Sequence, residues 1–152
     1  MTSRQSVLKR IEMVYGLVEE MHAVALRQAA ALRDEVARAI DEERSQMGIA
    51  AHGGRTAIAE GDREQWAISE VQRAWSVRRG SQLEVLHLER QNQTDVARQD
   101  YRASRIRSEQ MKTVVKQSDA AEELIAGRRM QAATDDRFLS RLWWDRRQAE
   151  GI

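Results

Sequence analysis

His22, His52 and His87 are the first side chains to weigh for metal or general-base chemistry. They fall in three separate segments without ligand-like spacing, and the chain contains no cysteine. Neither a zinc-type site, nor thiol catalysis, nor a disulfide is expected. The Gly53-Gly54 pair in AHGGRT lacks the flanking pattern of a phosphate-binding loop and reads as a turn. Adjacent residues on a helix point in different directions, so Asp135 and Asp136 do not form an acid–base pair. They read as solvated or ion-paired to Arg128, Arg129 or Arg141. No serine–histidine–aspartate arrangement is present, and a pair of helices offers no water-excluding cleft. The sequence therefore predicts no catalytic residue, no metal and no cofactor, and a protein that is not an enzyme.

The charged residues argue for contact rather than catalysis. Charged residues make up 32% of the chain and aromatics 5%, and the mean hydropathy is −0.67. That is too little bulky apolar material for a thick core, but enough for an apolar seam between two helices. The 25 basic and 24 acidic residues leave a net charge of +1, which gives no general pull toward nucleic acid or an anionic membrane. Residues 98–147 are locally basic, and lysine occurs only at Lys9, Lys112 and Lys116. Arginine makes planar, two-pronged contacts with carboxylates and phosphates. Interspersed acids weigh against an Arg-rich nucleic-acid binder, so no nucleic-acid partner is expected.

Proline is absent, so nothing forbids long helices. The expected fold is all-α: an antiparallel two-helix coiled-coil hairpin with a long C-terminal overhang, one domain over 1–152. The expected segments are a helix over 4–47, a loop over 48–61 and a helix over 63–147. Ser3 or Ser6 caps the first helix. Its stripe, Val7, Ile11, Val14, Val18, Met21, Ala25, Gln28 and Leu32, steps by four and three like a coiled-coil seam. Half of the eight glycines lie at Gly48, Gly53, Gly54 and Gly61, with Gly48 as a helix stop and Asp62 as the next N-cap. The second helix opens with Trp66, Ile68, Val71 and Trp75 and would be roughly 130 Å long. A 4-3 stripe resumes at Val114, Ser118, Ala121 and Ile125 and continues to Leu139 and Leu142.

Matching the lengths gives the sharpest expectation. A first helix ending at Met47 can pair with the second only as far as Ile106. The rest, with its own apolar stripe, is expected to need a partner molecule or a self-association contact. Trp66 and Trp75 read as packing on Ile40 and Met47, or as a partner patch at the hairpin end. Trp143 and Trp144 are adjacent and cannot share one narrow stripe, so at least one is exposed; tryptophan is enriched in binding hot spots. The N-terminal stretch MTSRQSVLKR leads into an amphipathic segment, so neither a signal peptide nor a membrane-inserted segment is expected, and the cytoplasm is the expected location.

The segment 127–141, GRRMQAATDDRFLSR, resembles the C-terminal segment of the FliJ family, stalk proteins of the flagellar type III export ATPase, and its YscO-like injectisome relatives. The similarity rests on Arg129, Met130, Asp136, Phe138 and Arg141 at the family's spacing. The Trp143-Trp144 pair and Thr134-Asp135 depart from it. The resemblance implies a non-enzymatic stalk or coupling subunit. Its terminal end would enter a hexameric ATPase ring and promote ring assembly. The ATPase-binding residues would be Arg129, Met130, Asp136, Phe138, Arg141 and Trp143. The hairpin end, with Trp66, Val71 and Trp75, would contact the cytoplasmic domain of the export gate membrane protein. Export chaperones are further implied partners, and the place implied is the cytoplasmic face of the inner membrane. The alternative reading is a generic coiled-coil scaffold that self-associates through its C-terminal overhang.

Overall fold

The structure, a computed structural model, describes residues 3–151. It is an all-α helical hairpin of two helices, α1 (Ser3–Glu60) and α2 (Arg63–Ala149). The expected cap at Ser3 concerns a side chain outside those described. Its contacts group into two compact units, Leu17–Arg105 and Met1–Gly16 with Ile106–Ile152.

The largest departure from expectation is the loop. Residues 48–60 are helical, and α1 runs to Glu60 rather than stopping at Met47. The reversal needs only Gly61 and Asp62. Gly61 has φ +73°, a left-handed conformation that glycine adopts without the Cβ penalty. Its amide donates to the Ile58 carbonyl (3.2 Å) and the Asp62 amide donates to the Ala57 carbonyl (2.9 Å), the paired bonds of a Schellman ending. Asp62 then starts α2 as expected: its carboxylate accepts from the Gln65 amide at 3.0 Å.

Gly48 is therefore not a cap, and Gly53-Gly54 is not a turn. The pair packs against Ser69 of α2. A Cβ on Gly53 would stand 3.3 Å from Ser69 Oγ, and one on Gly54 3.5 Å from Ser69 Cβ. Ser69 is only 2% exposed. Small residues on both helices let the backbones close up.

In the unit Leu17–Arg105, the buried row of α1 is Val36, Ile40, Ala50 and Ala57. The facing row of α2 is Ser69, Ser76, Gly80, Leu83, His87, Arg90 and Thr94, in steps of seven, four and three. Thr94 is fully buried and returns its hydroxyl to the Arg90 carbonyl at 2.8 Å. Ion pairs from Arg79 to Glu43 (3.0 Å) and from Arg44 to Glu84 (3.9 Å) join the helices at the rim. The Arg44–Glu84 pair is exposed on both sides and contributes little to stability. Trp66 and Trp75 are exposed, at 42% and 69%, rather than buried in a seam on Ile40 and Met47. Those two face Ser76 and Val77, beside a shallow groove opened by the missing side chain of Gly80.

In the unit Met1–Gly16 with Ile106–Ile152, Val115 is buried, with Ser108 buried and Met111 and Ser118 half-buried in the same row. Asp119 accepts a hydrogen bond from the Gln5 side-chain amide and pairs with Lys9 at 3.6 Å. Ser108 Oγ is buried without a hydrogen-bond partner among the described residues. The partnered part of α2 thus reaches Glu122, the last residue that is not exposed, well past the Ile106 limit expected from a shorter α1.

Candidate functional site: an exposed terminal helix

Every residue over 123–151 is exposed. The apolar side chains there include Leu124, Ile125, Met130, Phe138, Leu139, Leu142, Trp143 and Trp144. An apolar helix surface in water is normally covered, and a lone helix is marginal without packing. The sequence's expectation of a stretch without an intramolecular partner therefore holds, over a shorter length than predicted. Glycine at Gly127, with open space where a Cβ would lie, costs this stretch roughly 1 kcal/mol against alanine.

The six residues expected at a ring contact are all exposed, but they do not share one face. Arg129, Asp136 and Trp143 recur every seven residues and form one row along α2. Met130, 72% exposed, and Phe138, 60% exposed, lie with Arg141 on other sides of the helix. Trp143 is organised locally: its ring meets Trp144 edge-on, with centroids 6.4 Å apart and planes at 90°, and the Arg147 guanidinium sits 3.9 Å from the Trp143 ring centroid. Both contacts are favourable ring geometries, and they group two aromatic rings and a cation at the end of α2. Asp135 and Asp136 are solvated: among the described residues neither forms an ion pair with Arg128, Arg129 or Arg141.

At the hairpin end, Trp66, Val71 and Trp75 are exposed, Trp75 to 69%. Ile68, Val71 and Trp75 follow three-four spacing and share one outward row of α2. Trp66 stands apart from it and borders a groove beside Ile58 and Arg63 at the turn. The seam-packing reading of these tryptophans is thereby overturned, and both remain surface groups.

Sequence reasoning missed which stripe of α1 meets α2. The row Val7, Ile11, Val14, Met21 and Leu32 is exposed. The less exposed row, Glu12, Gly16, Glu19, Ala23, Leu26 and Ala30, keeps the same four-three step with smaller and charged residues. Period alone does not separate two such rows. The small residues Ser69, Ser76, Gly80 and Thr94 within the facing row of α2 are the signal of a close partner.

Among the described residues, no cluster of three His, Cys, Asp or Glu side chains is disposed to hold a metal. Nor is any helix long and apolar enough to cross a membrane. Comparison with protein-family models, curated proteins and solved structures returns no match.

Proposed function

We propose that the chain is a non-enzymatic stalk or coupling subunit of a type III protein-export ATPase. In this reading the stretch over 123–151 enters the central pore of the hexameric ATPase ring and promotes its assembly. The hairpin end meets the cytoplasmic domain of the export gate, export chaperones are further partners, and the work is done at the cytoplasmic face of the inner membrane.

The observation that carries the reading is the exposure of this stretch on every side. A partner that docks on one face needs one row of contact residues. A ring that encloses a helix contacts all of its rows, and here Arg129, Asp136 and Trp143 occupy one row while Met130, Phe138 and Arg141 occupy others. The resemblance at Arg129, Met130, Asp136, Phe138 and Arg141 points the same way. Pore carboxylates would pair with Arg128, Arg129, Arg137 and Arg141 through charge-assisted hydrogen bonds.

The test is co-purification from cells that contain an export ATPase. The full-length chain is expected to retain a hexamer-forming ATPase, and a chain ending at Glu122 is expected to lose it. Paired substitution of Arg129→Glu and Arg141→Glu should weaken retention by about tenfold or more. If no ATPase is retained and the chain instead self-associates through 123–151, the scaffold alternative replaces this reading.

A further inference from the structure

We propose that the outward row of α1 over 17–32 is a docking surface for a second copy of this chain, packed antiparallel across a two-fold axis. The surface lies within the unit Leu17–Arg105 and does not involve the exposed end of α2, so it is independent of the ring reading.

Leu17, Met21 and Val24 are 56%, 70% and 38% exposed, and with Gln28 they step by four, three and four. The half-buried row of this segment, Glu19, Ala23, Leu26 and Ala30, is on the opposite side of the helix. The apolar row therefore points away from α2. It is flanked on one edge by Glu20 and Arg27, seven residues apart. Both are exposed, and neither has an ion-pair or hydrogen-bond partner among the described residues. The other edge is apolar, with Val18 and Ala25.

Charge complementarity selects the occupant and its direction. A two-fold interface uses the same patch on both molecules. Set Met21 against Val24 of a second copy, antiparallel, and Leu17 falls opposite Gln28 of that copy. Glu20 then lies beside Arg27 of the copy, and Arg27 beside its Glu20, so one relation satisfies four unpaired charges. The apolar edges also meet, Val18 against Ala25 of the copy. Parallel packing instead sets Glu20 against Ala25 of the copy and Arg27 against its Leu32, leaving every one of these charges unpaired. The patch covers about three helical turns, a small interface, so a dimer of roughly micromolar affinity is expected.

The experiment is sedimentation equilibrium of the full-length chain over a range of about 1 to 500 µM, chosen to bracket that affinity. A monomer–dimer equilibrium is expected. Val24→Asp should abolish it with helicity unchanged, because this side chain does not face α2. Glu20→Arg and Arg27→Glu should each weaken dimerisation about tenfold, and the double exchange should return it to within about threefold of the parent. Met21→Cys chains mixed with Val24→Cys chains should form a mixed disulfide in preference to either homodimer; the parent has no cysteine to interfere. A chain that stays monomeric throughout overturns the proposal, as does a dimer indifferent to Val24→Asp. Failure of the double exchange to restore association overturns the antiparallel arrangement, as does a preference of each cysteine variant for disulfide linkage to its own kind.

Discussion

Two stretches of α2 invert the usual distribution of residues. Over 69–94 the helix hides serine and threonine: Ser69 is 2% exposed and Thr94 0%. Over 123–151 it displays Phe138, Leu139, Trp143 and Trp144, each more than half exposed. The first stretch is partnered by α1 and the second has no partner among the described residues. The difference shows that this protein does not use its largest apolar side chains to hold the hairpin closed. Small residues let the helices pack closely there, and Val36 and Ile40 are the largest aliphatic side chains buried beside them. The bulky groups remain as surface, available to other molecules.

Ile40→Ala cuts into the inner row and should produce the largest effect. About 2–3 kcal/mol of stability is expected to be lost, measured by thermal or denaturant unfolding followed by circular dichroism. Phe138→Ala, although it removes a larger side chain, should change unfolding by less than about 0.5 kcal/mol. Equal losses from the two would break the comparison. Ser108→Ala sharpens it. Removing a buried hydroxyl without a partner among the described residues should raise stability by about 1 kcal/mol, seen as a higher denaturation midpoint with an unchanged slope. Gly48→Ala should give the smallest gain, up to about 1 kcal/mol, because the glycine is in a helix interior with nothing within 4 Å of an added Cβ. A loss on that substitution would restore the loop that the sequence predicts at 48–61.

Those glycines show where sequence reading reached its limit. Gly48, Gly53, Gly54 and Gly61 look alike along the chain, since each permits both a left-handed turn and a close approach. Only Gly61 takes positive φ at the reversal. Gly53 and Gly54 admit Ser69, which arrives from a different helix. Composition does not distinguish the two uses, because one is local and the other depends on what stands opposite. The misplaced turn then carried through the length matching and put the start of the unpartnered stretch at Ile106 rather than after Glu122. The Trp66 and Trp75 error has a related cause: size suggested burial, while the facing row had room for serine and glycine.

By itself, the sequence determined what depends on near neighbours along the chain. Without proline and with helix formers almost throughout, two long helices follow. Asp62 caps α2 through the Gln65 amide three residues on. An unpartnered apolar and arginine-rich terminal stretch follows from one helix outrunning the other. Only the tertiary structure decided where the chain reverses, which of two equally periodic rows of α1 meets α2, and which large side chains stay outside. Each of those depends on the fit between surfaces far apart in sequence. Two rows with the same period satisfy the helix equally well, so the choice between them rests on what stands opposite in α2.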